Sequence, residues 1–261
     1  MPTDLYIIAA GKGSRLGGNI PKALVPIGGV PNLTRTLLAA KGKFQNTFIV
    51  ANELIQDQWE TWNAEMQMKY SDTLDYKSHH LVMIQSGLGD GHAALQGLQA
   101  SSSFTSVSED TVICWGDAVF TSDIFNELLA KKYRGETSGF LPAQKEATPY
   151  VTLLVDDRMR CISADFSKYG ENHPSGFHDQ SIFRFKRKLI EEALSFLHFS
   201  FWKNGRYITP GGELSLLYAF HFLYNVGNPA QVYETEHPTQ SFNTATELDM
   251  IRNQLEKHYV K

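Results

Sequence analysis

Residues 9–18 read Ala9-Ala10-Gly11-Lys12-Gly13-Ser14-Arg15-Leu16-Gly17-Gly18, and after Asn19 and Ile20 comes Pro21-Lys22-Ala23-Leu24. The run begins where an apolar, strand-like stretch over residues 5–10 ends. Two cations, Arg15 and Lys22, stand among residues that leave the backbone bare. Bare backbone can turn its N–H groups onto an anion, and the cations can close over a polyphosphate. The run therefore reads as a phosphate-handling loop at the end of a first strand.

Two common phosphate loops do not fit the spacing. A P-loop needs Gly, four residues, then Gly-Lys-Ser/Thr, whereas Gly11-Lys12 is followed by Gly13. The dinucleotide fingerprint needs a third glycine where Leu16 stands, and no acidic residue closes a second strand about 20 residues on. A nicotinamide-dependent oxidoreductase would thus rest on Gly11 and Gly13 alone.

The chain has 261 residues, 42% of them hydrophobic, and a formal net charge of −4. That length suits one large domain, or a domain with a subdomain. The charge balance gives no sign of a nucleic-acid track or an anionic membrane surface. Cys114 and Cys161 both lie in apolar runs, so reduced, buried thiols are expected rather than a disulfide framework. No basic-then-apolar leader opens the chain and no apolar run matches a membrane span, which makes the cytoplasm the expected location.

Strands and helices alternate through the first half. Strands are expected at 5–10, 47–51, 81–85 and 111–115, and helices at 31–40, 53–68, 91–100 and 123–133. This rhythm predicts an α/β fold with a doubly wound, mostly parallel sheet. Beyond Gly135 the rhythm changes. Strands are expected at 138–144, 150–155, 160–164, 181–185 and 231–234, with a hairpin turn at Asp156-Asp157. Helices are expected at 188–199, 213–224 and 246–259, and 101–108 reads as a surface loop. One domain is expected over 1–261, with a nucleotide-binding half (1–134) and a mixed acceptor-binding half closed by the last helix (135–261).

The opening loop resembles the N-terminal signature of the sugar-1-phosphate nucleotidyltransferases and their small cytidylyl-, uridylyl- and molybdopterin-type relatives. Their pattern is a strand, Ala-Ala-Gly or Ala-Gly-Gly, x-Gly-Ser/Thr-Arg, then Pro-Lys-x-Leu and Gly-x-Pro. Here it is met by Ala9 to Arg15, by Pro21-Lys22-Ala23-Leu24 and by Gly29-Val30-Pro31. The resemblance is specific over about the first 120 residues and holds only in outline beyond. It implies a Rossmann-like fold of the nucleotide-diphospho-sugar transferase type, without room for the left-handed β-helix domain that some relatives carry.

The same resemblance implies roles. Ala9, Ala10, Gly11, Gly13, Ser14 and Arg15 would hold the triphosphate, Arg15 through its planar, permanently charged fork. Lys22 would reach the α-phosphate. Taken singly, Arg15 and Lys22 could be an ordinary surface Arg and a snorkelling Lys. Asp117 ends the apolar run 112–116, at the strand end where open α/β sheets bind ligands, and is the first choice for Mg2+. Its alternative is a helix cap, although Thr121 or Ser122 is better placed. Asn243, in Phe242-Asn243-Thr244, is the second metal candidate, or else a turn residue. The usual proline and upstream aspartate are replaced there by Ala245 and Ser241.

Base recognition is expected at Gln85-Ser86-Gly87-Leu88-Gly89-Asp90-Gly91, where Gln85, Gly87 and Gly91 would line a flat base. His92 reads as a surface histidine sooner than a residue packed near the nucleotide, and His79-His80 as solvated. Lys168, in Phe166-Ser167-Lys168, would clamp the acceptor phosphate, with Ser167 where relatives carry a glutamate. Glu213 would face the acceptor or be a first-turn helix residue. Tyr150, Asp179 and Gln180 are further pocket candidates.

The implied activity is Mg2+-dependent condensation of a nucleoside triphosphate, with CTP or UTP preferred, with a sugar 1-phosphate or another small phosphomonoester, releasing pyrophosphate. No nucleic acid or membrane partner is expected, and a homodimer is the common arrangement for such enzymes. The reading from a different class is a catalytically silent nucleotide- or nucleotide-sugar-binding module.

Overall fold

Strand β1 (Thr3–Ile8) alternates Leu5 and Ile7 with Tyr6 and Ile8, and all six of its residues are buried. Apolar side chains on both faces of a strand need cover on both faces of the sheet. The computed structural model supplies it, describing residues 1–11, 20–74, 78–85, 87–242 and 244–259, of which 255–259 by backbone alone.

The small hairpin β2 (Pro26–Ile27) and β3 (Val30–Pro31) leads into α1 (Asn32–Ala40). Then follow β4 (Thr47–Asn52), α2 (Gln56–Tyr70), β5 (His79–Ile84), α3 (Asp90–Ser101), β6 (Asp110–Trp115), β7 (Ala118–Val119) and α4 (Ser122–Ala130). The second half begins with β8 (Gly139–Ala147), β9 (Val151–Val155), β10 (Cys161–Phe166), β11 (Ser175–Asp179) and β12 (Ile182–Lys186). It continues with α5 (Arg187–Phe201), β13 (Trp202–Lys203), β14 (Arg206–Tyr207), α6 (Tyr218–Asn225), β15 (Ala230–Glu234), β16 (Gln240–Ser241) and α7 (Ala245–Tyr259).

Ten strands form one sheet, in the order β10-β9-β11-β8-β12-β6-β1-β4-β5, with β15 added beside β8. The block β6-β1-β4-β5 is parallel, Leu5 lying opposite Thr47 on one side and Val112 on the other. From β12 outward the pairing is antiparallel, except that β15 runs parallel to β8. The chain leaves β1 toward β4 on one side and returns as β6 on the other. That makes the C-terminal edge between β1 and β6 a topological switch point, the place where such sheets bind ligands.

The two faces carry separate cores. Tyr6, Ile8, Phe48 and Val50 pack with α3, α5 and α6, whereas Leu5, Ile7 and Ile49 pack with α1, α2 and α4. Helix α2 shows why its sequence is helical: Trp59, Trp62 and Met66 recur at helical spacing and are its buried residues. At the opposite edge of the sheet from the switch point, Asp110 receives the Arg184 guanidinium at 2.7 Å and the Thr3 hydroxyl at 3.0 Å. Arg184 also donates to the Leu128, Leu129 and Lys131 carbonyls that end α4.

The hairpin expected at Asp156-Asp157 joins β9 to β10, and the Asp156 carboxylate accepts from Arg158 N and Arg160 N at 3.0 Å each. Cys114 and Cys161 are buried and unpaired, and burial pushes both thiols up from their ordinary pKa. No helix among the described residues is long and apolar enough to cross a membrane.

Four expectations need correction. The helix expected over 213–224 begins only at Tyr218, because the amides and carbonyls just before it are used in pairing with another loop, described below. Strand β11 was not legible, since its alternate residues are Ser175, Phe177 and Asp179 around Gly176 and His178. The stretch 101–108 is not all surface, as Ser108 is buried and gives its N–H and hydroxyl to Asp4. His80 is half-buried and stacks on Phe48 with ring centroids 5.1 Å apart, so it is no solvated histidine.

Candidate active site

The ends of β1 and β6 are drawn together by small residues. Gly116 donates its N–H to the Ile8 carbonyl at 2.9 Å, and a methyl group at Gly116 would stand 3.0 Å from the Ala9 and 3.1 Å from the Ala23 side chain. Ala9, Ala10 and Ala23 are buried and Gly11 is exposed. This tight crossing brings Lys22, which opens a single helical turn, to the end of β6. Its Nζ donates to Asp117 Oδ2 at 3.2 Å, with 16% of the Lys22 and 31% of the Asp117 side chain exposed. Asp117 is no cap for α4, whose N-cap position is Thr121. Gly13, Ser14 and Arg15 lie outside the described residues.

Asn32 is a site residue the sequence reading missed. Fully buried at the start of α1, it donates its side-chain N–H groups to the Gly116 carbonyl at 3.0 Å and the Ala118 carbonyl at 2.9 Å. It thus grips the backbone on both sides of Asp117. An asparagine at the first helical position, straight after Gly-x-Pro in the motif, is the signal that could have pointed to it.

A second approach to Asp117 comes from the far end of the chain. Strand β16 pairs with β7, Ser241 lying opposite Ala118. Gln180 anchors the entry to β16: Thr239 N donates to Gln180 Oε1 at 2.7 Å and the Thr239 hydroxyl to the Gln180 carbonyl at 2.8 Å. Phe242 is buried with Ile27, Leu248 and Ile251 beneath this strand. Asn243 itself lies outside the described residues.

The donor set suits a hard divalent cation that phosphate helps to hold. Among the described residues no three His, Cys, Asp or Glu side chains gather in a metal cage. Mg2+ does not require one, because it is commonly bound by one or two carboxylates plus substrate phosphates. Asp117 offers a carboxylate with an open side.

Gln85 stands exposed at the C-terminal end of β5, and Gly87 has a φ of 91°. The smallness of the next glycines serves the chain itself. A methyl group at Gly89 would stand 2.2 Å from the Leu214 carbonyl oxygen, and one at Gly91 would stand 2.6 Å from Leu216 N. The loop before α3 is therefore sealed against residues 214–216. Leu214 N donates to the Leu88 carbonyl and Gly91 N to the Leu214 carbonyl, each at 2.9 Å. The Asp90 carboxylate accepts from Leu216 N at 2.6 Å and from the Ser215 hydroxyl at 3.2 Å. Burial raises the Asp90 pKa to about 6, against the lowering effect of these bonds and of Lys168.

On the acceptor side, Lys168 sits in a helical turn after β10, its ammonium 4.8 Å from the centre of the Tyr169 ring. Tyr150 is exposed and adjoins the same turn, its carbonyl accepting from Ser167 N at 3.0 Å. Asp179 is buried at the end of β11, where its carboxylate accepts from Ser181 N at 2.8 Å and burial raises its pKa. Glu213 lies ahead of α6 rather than in its first turn, and its charge is felt at Asp90. Lys168 and Glu213 thus act on the Asp90 carboxyl in opposite senses, the first lowering and the second raising its pKa.

His92 is buried, not on the surface. Its Nδ1 lies 2.6 Å from the Tyr207 hydroxyl, which lies 2.7 Å from Nδ1 of His198, with Trp202 stacked beside them. Burial lowers the His92 pKa, and His198 adds to the effect.

A family model described as the MobA-like NTP transferase domain matches residues 5–187. The Bifunctional protein GlmU of Ruegeria sp. (strain TM1040) is 32% identical over 124 residues, which is 47% of this chain and 24% of that protein. The chain thus spans about a quarter of the length of that curated relative. Among solved structures, an inositol-1-phosphate CTP transferase from T. maritima superposes with a TM-score of 0.69 at 14% identity, covering 97% of this chain and 96% of that one. A nucleoside-diphosphate-sugar pyrophosphorylase from Vibrio cholerae RC9 gives 0.71 at 13% identity, covering 95% and 100%. At such identities the likeness is one of fold.

Proposed function

The chain belongs to the MobA-like NTP transferase family, and from that premise we propose that it joins a nucleoside triphosphate to a small phosphorylated acceptor and releases pyrophosphate. The observation that carries this reading is the meeting of Lys22 and Asp117 at the switch point, 3.2 Å apart although 95 residues separate them in sequence. A cation and a hard oxygen donor there are what in-line phosphoryl chemistry needs.

An acceptor phosphate oxygen attacks the α-phosphorus, a new P–O bond forms, and the bond to the β-phosphate oxygen breaks as pyrophosphate leaves. The attacking oxygen is anionic at neutral pH, so no general base is needed. Lys22 neutralises charge that builds on the α-phosphate, and Arg15 with the Gly11–Ser14 backbone holds the leaving pyrophosphate. Asp117, with Asn243 from the segment after β16, holds Mg2+. When bound, the cation offsets phosphate charge and orients the phosphate oxygens. Lys168 receives the acceptor phosphate, and Gln85 with Gly87 meets the base.

The pyrimidine nucleotides CTP and UTP are our preferred donors, supported by the CTP transfer named for the T. maritima neighbour. A sugar 1-phosphate or another small phosphomonoester is the acceptor we favour. The test is a matrix of four ribonucleoside triphosphates and dTTP against a library of phosphomonoesters, with pyrophosphate as the readout. Mg2+-dependent release with one donor–acceptor pair is expected. Nucleotide binding without turnover across the whole matrix would instead mark a silent binding module.

A further inference from the structure

Residues 211–217 touch two parts of the site that the transfer reaction must bring together. On one side they are sealed to the nucleotide-side loop by the two backbone bonds between Leu88, Gly91 and Leu214, and by the contacts that leave Gly89 and Gly91 no room for a side chain. On the other side they meet the acceptor-side turn. The Tyr169 hydroxyl lies 2.4 Å from where a Gly211 methyl group would stand, and Tyr218, which opens α6, packs on Phe166 with ring centroids 5.7 Å apart. Thr209 closes the segment from behind, its hydroxyl donating to the Glu213 carbonyl at 2.6 Å.

Asp90 is the side chain of the nucleotide-side loop whose hydrogen bonds reach into this segment. Its Oδ1 accepts from Leu216 N at 2.6 Å and Ser215 Oγ at 3.2 Å. Leu216 begins the turn that leads to α6, so its N–H lacks a helical partner and the carboxylate satisfies it. A charge-assisted bond to a backbone N–H is among the stronger ones available.

We propose that Asp90 is a positioning residue: it fastens residues 213–217 to the nucleotide-side loop, so that a nucleotide held at Gln85–Gly91 also orders the wall beside Lys168, where the acceptor phosphate docks. The inference rests on the nucleotidyl-transfer reading and adds a coupling between the two substrate positions. A ligand that orders a loop lowers the ordering cost for the next ligand that uses the same loop, which is cooperativity without a large movement.

Hydrogen exchange read by mass spectrometry tests it on the full chain, with MgCl2 and each of ATP, GTP, CTP and UTP in turn. In the wild type, the triphosphate that binds slows exchange at 87–95 and also, by about tenfold, at 213–217, a size typical of coupling between sites. Asp90→Ala keeps the first effect and loses the second. Asp90→Asn retains an oxygen for Leu216 N and keeps both. Protection of the wild type at 87–95 without 213–217 overturns the inference alone, with no variant required. An Asp90→Ala protein that keeps both effects overturns it as well. Protection nowhere, with any of the four triphosphates, removes the function reading and this inference with it.

Discussion

Strand β6 carries an aspartate at its start and another just past its end, and the two are used in opposite ways. Asp110 is 1% exposed in its side chain and saturated: it takes both Nε and Nη2 of Arg184, the Thr3 hydroxyl and the Tyr133 hydroxyl. Asp117 meets Lys22 and keeps 31% of its side chain open. A carboxylate whose lone pairs are all committed holds the fold together. One held by its backbone, with an open side, is available to a ligand. The contrast is the ground on which Asp117, and not Asp110, is proposed as the carboxylate that meets a ligand.

The sharpest way to break that contrast is to remove the open pair. Asp117→Ala and Lys22→Ala should each lower pyrophosphate release about 100-fold or more, the range seen when a stabiliser of developing charge is deleted. Their urea midpoints should stay close to wild type. Near-normal turnover in either variant takes that residue out of the site. Arg184→Ala should do the reverse, lowering stability in urea by about 3 kcal/mol, because it leaves Asp110 buried and unpaired. Turnover per folded molecule should be kept; a stable Arg184→Ala protein would show that Asp110 is not the anchor described here.

Asn32→Leu sharpens the middle of the comparison. It keeps the branched outline of the side chain, though with bulkier methyl ends, and frees the carbonyls on both sides of Asp117. A loss of about tenfold in apparent Mg2+ affinity is expected, as for residues that hold a metal ligand in place. An unchanged Mg2+ titration would mean that Asp117 needs no such grip.

The smallest effect is a pH dependence at Asp90. Its folded pKa, about 6, lies above the ordinary carboxylate value of 3.8 chiefly because of burial, with Glu213 raising it and Lys168 lowering it. The folded protein therefore binds this proton more tightly than the unfolded chain does. Relative to Asp90→Asn, the wild type should gain stability as pH falls from 7.5 through 6 toward 4, and lose it again as pH rises. Melting curves of the two proteins at pH 7.5 and 4.5 read this directly; a flat difference would place the carboxylate in an open setting, and an opposite trend would mean that Lys168 and the bonds from Leu216 and Ser215 outweigh its burial.

The nucleotide-side edge was legible in sequence because it is built from consecutive strand–turn–helix units. The strand at 5–10, the Pro21-Lys22 turn and the Gly116-Asp117 strand end each announce themselves within a few residues. Asn32 did not, because its partners, Gly116 and Ala118, are 84 and 86 residues away. On the acceptor side the same distance problem is general. The apolar run 213–224 reads as one helix that includes Glu213, yet pairing with the loop at 88–91 takes up the amide and carbonyl of Leu214, and the helix begins only at Tyr218. Nothing local in Leu214-Ser215-Leu216 reveals a partner more than a hundred residues earlier. His92 misled for a like reason, since its burial depends on Tyr207, which comes 115 residues later.

The Tyr207 hydroxyl has one hydrogen and two imidazole neighbours. A phenol O–H can be given to a single lone pair, so at most one of the rings accepts it. The other ring has to present a hydrogen of its own from Nδ1, the less common tautomer for a neutral histidine. The three groups therefore carry a fixed proton inventory that ties α3, α5 and the β13–β14 hairpin to one another. Nitrogen-15 chemical shifts of His92 and His198 would read out which ring holds which hydrogen.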